Sequence, residues 1–286
     1  MKSNVAILTD TNSGITIKKA EELGVYLILM PILIDGEVYL EEKEIKKDFF
    51  FEKLNSDADV TTSQPSPGDI LDMYDRLLKD YDEVVYIPMS SGLSGTCQTA
   101  TMLAADYDGK VHVVDNQRIS VTMRQSVLDA IALAEEGKSG AEIKEYLEVD
   151  ALNAPIFIMV DTLKYLKKGG RVTAAGAAIG EVLNIKPVLK IDGGKLDAFA
   201  KVRGVKQALK TMLKALESER DTRLKGKDCI INGAYSGDDS VGAELERVLK
   251  EAFPECTIEV YELPMSICTH IGPGAMGIGI YSAYKA

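Results

Sequence analysis

The sequence predicts an α/β protein whose first half contains a parallel sheet flanked by helices. Continuous apolar runs such as 5–8 and 84–87 are typical of buried parallel strands. Each run is followed by a polar turn and then by a segment that favours a helix, and this repeated order is typical of a doubly wound sheet. The second half contains a strong hairpin signal at residues 192–194, so we expect mixed α/β structure there.

In the first half, strand and helix signals alternate. The first strand leads to a helix at 15–23, which Gly24 should end because glycine readily adopts the left-handed C-cap conformation. Asp35-Gly36 predicts a hairpin, whereas two prolines make 59–68 a polar loop. The other expected elements are helices at 48–55, 69–81, 98–105, 121–136 and 140–149, apolar runs at 25–34 and 38–40, and a strand at 110–115.

The pattern changes near residue 151. The 286 residues allow two domains or one large one, and we expect an N-terminal domain at 1–150 and a C-terminal domain at 151–286. Residues 174–184 are rich in alanine and glycine, and 270–281 contain a glycine-rich loop suited to close backbone approach. The other expected elements are strands at 155–160, 188–191, 195–200, 228–234 and 257–263, and helices at 162–168, 204–219 and 240–252.

Charge and hydropathy exclude several classes of partner. The formal net charge is −11 and the pI about 4.9, which argues against nucleic acid and against anionic membrane surfaces. No apolar run approaches the length of a membrane span, and the apolar run near the N-terminus is too short for a signal peptide. We therefore expect a cytoplasmic protein without stable membrane insertion.

Metal and nucleotide motifs are missing from the sequence. The four cysteines form no C-x-x-C pair, and together with two histidines they give no zinc-type spacing. There is no P-loop, and no G-x-G-x-x-G follows the first strand. We expect no metal and no cofactor. The four cysteines and two histidines are Cys97, Cys229, Cys256, Cys268, His112 and His270.

A hydroxyl-rich turn, residues 90–96, follows the apolar run at 84–87. It contains three serines, a threonine and two glycines. Open α/β sheets bind ligands at the carboxyl ends of strands, and the N–H groups of a following helix favour anions. This turn therefore predicts a carboxylate or phosphate site. A simple helix cap is the alternative, although a cap requires only one hydroxyl.

Two other polar segments are candidates for the same site. Thr61, Thr62, Ser63 and Ser66 precede a helix, so they are equally consistent with a ligand site and with helix capping. Near the C-terminus, His270 precedes a Gly-Pro-Gly sequence, and this close-approach loop favours a site role for the histidine.

The same residues leave two other functions open. Residues 92–95 resemble the G-x-S-x-G nucleophile motif with one residue missing, so a serine hydrolase would use Ser94 with His270 as base and Asp10 to orient it. A regulator that binds a small molecule or phosphate is the other alternative, although the turn contains no Lys or Arg.

Five segments, in this order and spacing over nearly the whole chain, resemble the DegV family. The resemblance implies two α/β domains with a long-chain fatty acid between them. It also implies a FakB-type subunit of a bacterial fatty acid kinase, in which a separate ATP-dependent protein phosphorylates the bound carboxylate for phospholipid synthesis. The matching segments are VAILTD at 5–10, TSQP at 62–65, SSGLSGT at 90–96, LKKGGR at 166–171 and HIGPG at 270–274.

The resemblance assigns roles to individual residues. Thr62 and Ser94 match the hydroxyls that hold the carboxylate, and His270 matches the histidine near it. We expect no catalytic residue in this chain, since Mg-ATP positioning groups are missing. Kinase docking is expected of the basic positions Arg171, Arg203 and Lys168, and further ligand-adjacent positions are Thr61, Ser91, Gly95 and Gly272.

Two expectations concern the ligand's surroundings. An uncharged cradle of hydroxyls would orient the carboxylate and leave it reactive, whereas a neighbouring cation would make it a weaker nucleophile. The acyl chain requires an apolar tunnel, to which we expect contributions from 174–180, Met30, Ile32, Ile158 and Met276.

Overall fold

Residues 4–178 and 185–285 are described by a computed structural model, in which the strands form three sheets. The strands are β1 (Val5–Asp10), β2 (Tyr26–Ile28), β3 (Pro31–Ile34), β4 (Glu37–Leu40), β5 (Val60–Thr62), β6 (Glu83–Ile87), β7 (Val111–Val113), β8 (Ile156–Met159), β9 (Ile185–Ile191), β10 (Asp197–Arg203), β11 (Ile230–Tyr235), β12 (Thr257–Glu262) and β13 (Met276–Tyr281). The helices are α1 (Ile17–Leu23), α2 (Lys47–Leu54), α3 (Pro67–Leu77), α4 (Thr96–Ala104), α5 (Ser120–Glu135), α6 (Gly140–Val149), α7 (Lys164–Gly169), α8 (Ala174–Ala177), α9 (Val205–Asp221), α10 (Asp239–Ala252) and α11 (Met265–Ile271).

The four-stranded sheet is parallel, in the order β2-β1-β6-β7. Side chains of α1, α5 and α6 pack on one face, and those of α3 and α4 pack on the other. This arrangement buries both faces of the strands, which is why their sequences are continuously apolar. The predicted parallel sheet with flanking helices is confirmed.

The three-stranded sheet is antiparallel, in the order β4-β3-β5. Asp35 and Gly36 both have positive φ, as a two-residue hairpin turn requires. The expectation that 59–68 is wholly a loop is wrong, because β5 lies within it and pairs with β3. Two of the three β5 residues are threonines, whose local polarity resembles that of a loop, so the partner strand decides the structure.

The six-stranded sheet is mixed, in the order β10-β9-β8-β13-β11-β12. Only β11 and β12 are parallel, and the hairpin at residues 192–194 joins antiparallel β9 and β10 as predicted. Helices α9 and α10 cover the outer face of this sheet. Its inner face contributes to a large apolar cluster with the three-stranded sheet, α7, α11 and the beginning of α5.

The expected loop at 272–274 is present, but the glycine-rich C-terminal region around it is regular structure. Residues up to Ile271 belong to α11, and Met276–Tyr281 form an inner strand of the six-stranded sheet. Only the connection between these two elements is irregular. The short α11 had no predicted counterpart, because seven residues between Pro264 and Gly272 carry too little periodic signal.

The division at residues 150 and 151 stays a prediction. The four-stranded sheet uses strands before residue 114 and the six-stranded sheet uses strands after 155. However, Tyr284 returns to the first half, where its ring packs 5.0 Å from that of Tyr146. Within 4–178 and 185–285, no helix has the length and apolar character that crossing a membrane requires.

Candidate functional site

A cavity lies where the three sheets meet, and together with its opening to solvent it encloses about 860 Å³ of empty space. Its walls are mainly apolar and come from both halves of the chain, including Leu93, Ile119, Ile156, Ile158, Ile191 and Leu263. The polar lining is confined to a smaller set that includes Asn12, Thr62, Ser94, Arg171, Ser266 and His270. The cavity thus suits a molecule with a long apolar part and a polar group.

Thr62 and His270 are in direct contact, although 208 residues separate them. The Thr62 Oγ1 atom lies 2.7 Å from His270 Nε2. Thr62 ends β5, whereas His270 lies in the last turn of α11, so the packing of α11 on the three-stranded sheet creates the pair. When the imidazole proton is on Nε2, the ring donates to Thr62 and leaves the threonine O–H free to donate to a ligand.

The imidazole of His270 is held in its neutral form. Burial lowers its pKa from 6.5 to about 4, and the nearby positive charge of Arg171 contributes in the same direction. The other side of the ring packs on Gly169, where a Cβ would lie 2.3 Å from Nδ1. Glycine at 169 is therefore required for the ring to occupy this position.

Ser94 lines the cavity from the hydroxyl-rich turn after β6. Its Oγ lies 2.9 Å from Thr96 Oγ1 and accepts a hydrogen bond from the Thr96 N–H at the beginning of α4. The serine therefore bonds the first N–H of α4 from just outside the N-cap position, and it also faces the cavity. The hydroxyl cluster at residues 61–66 shows both of its expected roles. Ser66 caps α3, whereas Thr62 contacts His270 in the cavity wall.

The turn around Ser94 is fixed against the six-stranded sheet. Ser90 donates a hydrogen bond to the carbonyl of Gly193, at 2.7 Å. A Cβ on Gly92 would lie 2.8 Å from the Cα of Gly194, so two backbones touch here. This contact fixes the turn, which supplies Ser94 to the cavity wall, against the β9–β10 hairpin, whose neighbours Ile191 and Leu196 also line the cavity.

Arg171 lies in the cavity wall and is half-buried. Its guanidinium donates hydrogen bonds to the carbonyls of Leu93 and Gly169. The expectation of an uncharged cradle is wrong, because this cation is close enough to lower the pKa of His270. Two lysines lie close to Arg171 in the sequence, and such a basic cluster predicts a solvent-exposed surface rather than a cavity wall.

The four residues expected beside the ligand do not line the cavity. Thr61 alternates with Thr62 along β5 and therefore points the other way. Ser91 is exposed and its N–H bonds Asp115. The exposed Gly95 is the N-cap residue of α4, and Gly272 is buried under the ring of Tyr165.

The other two expected docking residues lie on the surface. Lys168 forms a salt bridge to Asp59 at 2.6 Å and also donates to the carbonyl of Val60. It thus ties α7 to the beginning of β5. Arg203 is exposed at the end of β10, an edge strand of the six-stranded sheet.

Sequence reasoning missed Asn12 and Ser266, which bond each other in the cavity wall. The Ser266 hydroxyl lies 3.0 Å from Asn12 Oδ1. Ser266 and His270 are four residues apart, so a helix would place them on one face, but α11 was not expected. Asn12 follows β1, which neighbours β6, and this adjacency was the available signal.

Two buried carboxyl groups support this wall. Asp10 accepts bonds from the N–H groups of Asn12 and Met89, and burial raises its pKa to about 6. Glu41 accepts from Thr11 and Ser266, and burial raises its pKa also. Asp10 thus joins the segments that follow β1 and β6, and Glu41 joins the segment after β1 to α11.

The predicted tunnel residues are only partly in the wall. Ile158 lines the cavity, whereas Met276 faces the opposite side of the sheet among the side chains of α9 and α10. Met30 and Ile32 are buried outside the lining. Of the alanine- and glycine-rich segment, 174–178 lie outside the lining and 179–184 lie outside the described residues.

The contacts do not form a hydrolase triad. The three residues that this alternative requires are each bonded elsewhere: Ser94 to Thr96, His270 to Thr62, and Asp10 to Asn12 and Met89. Among the residues that the structure describes, no group of three or more His, Cys, Asp or Glu side chains is arranged to hold a metal ion.

Comparison with known families and proteins covers nearly the whole chain. A family model described as "Uncharacterised protein, DegV family" matches residues 4–283. A DegV domain-containing protein of Staphylococcus aureus (strain N315) is 30% identical over 273 residues, which are 95% of this chain and 96% of the relative.

Solved structures that share the fold include two fatty-acid-binding proteins. The fatty-acid-binding DegV family protein of Thermus thermophilus superposes with a TM-score of 0.88 at 34% identity, over 97% of this chain and 99% of that one. The fatty-acid-binding DegV family protein SAG1342 of Streptococcus agalactiae superposes with a TM-score of 0.87 at 28% identity, over 98% and 99% of the two chains.

Proposed function

The chain belongs to the DegV family, and we propose that its cavity holds a long-chain fatty acid. The observation that carries the proposal is the composition of the cavity wall, which is apolar over most of its area and polar around the Thr62–His270 pair. The related structures described as fatty-acid-binding DegV proteins support it.

The apolar wall would supply most of the affinity. Burying about 14 methylenes at roughly 0.8 kcal/mol each is worth on the order of 11 kcal/mol before the costs of association. Hydrogen bonds contribute about 1 kcal/mol each, so two hydroxyls alone would not retain the ligand. The acyl chain thus accounts for affinity, and the polar group fixes the position of the carboxylate.

We assign the carboxylate to Thr62 and Ser94, with His270 behind Thr62. A neutral imidazole that donates to Thr62 Oγ1 orients the threonine proton toward a carboxylate oxygen. Arg171 adds a positive charge at the edge of the same group. This cation would favour binding of the ionised acid, and it would also lower the nucleophilicity of the carboxylate.

We further propose that the protein presents this carboxylate to a separate ATP-dependent fatty acid kinase. A carboxylate oxygen would attack the γ-phosphorus of ATP, the bond to the β-phosphate oxygen would break, and ADP would leave. The product is an acyl phosphate for phospholipid synthesis. The missing P-loop supports a partner as the source of Mg-ATP binding.

The ligand is tested by native mass spectrometry of the purified protein and by titration of the delipidated protein with palmitate. We expect one co-purified fatty acid per chain and saturable palmitate binding. Thr62→Val should weaken binding roughly tenfold, because it removes the hydroxyl without changing the side-chain shape.

Thr61→Val is the matched control, since the side chain of Thr61 lies on the other side of the same strand. We expect it to leave palmitate affinity unchanged. Equal losses in both variants would contradict the assignment of the carboxylate to Thr62. Absence of lipid together with phosphate binding would favour the small-molecule regulator, and labelling of Ser94 by a serine-directed fluorophosphonate would favour the hydrolase.

The kinase step is tested with palmitate-loaded protein, Mg-ATP, the candidate kinase and hydroxylamine, which converts acyl phosphates to hydroxamates. Hydroxamate should form only when the kinase is present. Arg203→Glu should slow its formation without changing palmitate affinity, whereas Lys214→Glu, an exposed change on α9, should not. Hydroxamate formation without the kinase would contradict the proposal.

A further inference from the structure

The inner strand β13 has different residues on its two faces. Met276, Ile278 and Ile280 belong to the apolar cluster with α9 and α10. Gly277 and Gly279 therefore point to the opposite face, toward the cavity. Glycine weakens a strand and often marks a site where another group approaches closely, so each of these two positions requires an explanation.

Gly279 is explained by packing. A Cβ at this position would lie 2.9 Å from Thr122 Cγ2 and 3.4 Å from Val121 Cγ2, near the beginning of α5. Glycine therefore allows α5 to lie directly on the strand. Protein side chains therefore occupy the place where a Cβ of this residue would lie.

Gly277 has no such neighbour. The nearest atoms to a Cβ here would be Ile158 Cδ1 and Cγ1 at 3.9 Å and the carbonyl oxygen of Ala234 at 4.0 Å, which are ordinary contact distances. The residue lines the cavity, and so does Ala234, its partner in the register of β11 and β13. Gly277 and Ala234, two small neighbouring residues, thus form a depression in the cavity wall next to Ile158.

We propose that Gly277 sets the size of the acyl chain that the cavity accepts. The glycine leaves room that part of the ligand occupies, and a larger side chain would project into that room. This inference rests on the proposed fatty acid binding and adds to it a residue that determines specificity. Because the backbone accepts a Cβ without a clash, alanine at this position changes the cavity volume before it changes the fold.

The experiment is a competition of equimolar myristate, palmitate and stearate for the delipidated protein, read by native mass spectrometry. Gly277→Ala should lower the bound ratio of stearate to myristate by about fourfold, as expected when one methylene loses its place. Gly277→Val should lower the ratio further. Ile278→Val is the control, since it removes one methylene from the other face of the strand and should leave the ratio unchanged.

An unchanged ratio in folded Gly277→Ala, as judged by circular dichroism, would overturn the inference. An equal change in Ile278→Val would also overturn it, because the effect would then come from the strand rather than from the cavity. If the unsubstituted protein takes up none of the three acids, the proposed function itself fails, and this outcome is distinct from an unchanged ratio. Should Gly277→Val not fold, the alanine variant decides alone.

Discussion

His270 is a buried imidazole whose neutral state follows from its surroundings. Burial is the largest cause of its lowered pKa, and Arg171 adds to it. A neutral ring can donate through one nitrogen only, and a hydrogen bond to Thr62 through Nε2 leaves the threonine proton for a ligand. The residue is thus suited to orient a carboxylate without ion-pairing to it.

The lowered pKa of His270 makes stability depend on pH. The unfolded chain protonates this histidine near pH 6.5, whereas the folded protein does so only near 4, so stability is greatest above 6.5 and falls as the pH drops toward 4. Between pH 7 and pH 5 we expect a loss of about 2 kcal/mol from this residue. Urea unfolding of the protein and of His270→Gln at both pH values measures it.

The raised pKa of Asp10 changes stability with pH in the opposite direction. The unsubstituted protein is therefore compared with His270→Gln, rather than measured alone. The raised pKa of about 6 means that the unfavourable burial of Asp10 is relieved as the pH falls. Asp10 is present in both proteins, so its effect cancels in their difference. The prediction is contradicted if the stability difference between the protein and His270→Gln is the same at pH 7 and pH 5.

At the scale of elements, the end of α7 positions the site through two adjacent glycines with different roles. Gly170 has φ 69° and ends the helix in the left-handed conformation, with open space around it. Gly169 is helical and packs on the His270 ring. The sequence motif predicts the turn, but only the packing of α11 on α7 explains the second glycine.

Gly169→Ala should displace the imidazole and break its bond to Thr62. We expect a net destabilisation of about 1–3 kcal/mol from overpacking, although alanine is the better helix former by about 1 kcal/mol. Palmitate affinity should fall together with stability. Urea unfolding and palmitate titration measure the two effects.

Gly170→Asn is the matched control for this change. Asparagine tolerates the left-handed conformation better than other side chains, and nothing lies within 4 Å of a Cβ there. We expect unchanged palmitate affinity and only a small loss of stability. A loss of affinity as large as that of Gly169→Ala would show that the helix end, rather than the ring contact, is responsible.

At the scale of the whole molecule, Glu41 joins three distant elements. Its carboxylate accepts from the Thr11 hydroxyl after β1 at 2.6 Å and from both the N–H and the hydroxyl of Ser266 at 2.9 Å. Glu41 itself directly follows β4. A single buried carboxylate therefore links the four-stranded sheet, the three-stranded sheet and α11, which carries His270.

Glu41→Gln should destabilise the protein by about 1–3 kcal/mol, because the amide presents an NH₂ group to at least one of the three donors. Glu42→Gln is the control, since Glu42 is exposed and adjacent in sequence. Urea unfolding at pH 7 compares the two variants. Similar effects at both positions would mean that this network does not contribute measurably to the joining of the two halves.

Features that depend on neighbouring residues are predicted correctly from this sequence, whereas features that depend on residues far apart in the chain are not. The turns at Asp35-Gly36 and at residues 192–194 were predicted because glycine and aspartate determine the local backbone. In contrast, β5 and α11 are short, and their structure depends on β3 and α7. The motifs around Thr62 and His270 predict that each belongs to the site, but their direct contact depends on how these two elements pack.

The α/β class, the parallel first half, the mixed second half and the family follow from the amino-acid sequence without the structure. Periodicity, turn residues and motif order are properties of neighbouring residues, so they can be read before folding. Three features depend on the packed fold: Arg171 faces the cavity, His270 is neutral, and Gly277, rather than Met276, lines the wall. Burial, charge proximity and the free space beside a glycine arise from residues far apart in the chain, and folding alone brings these together.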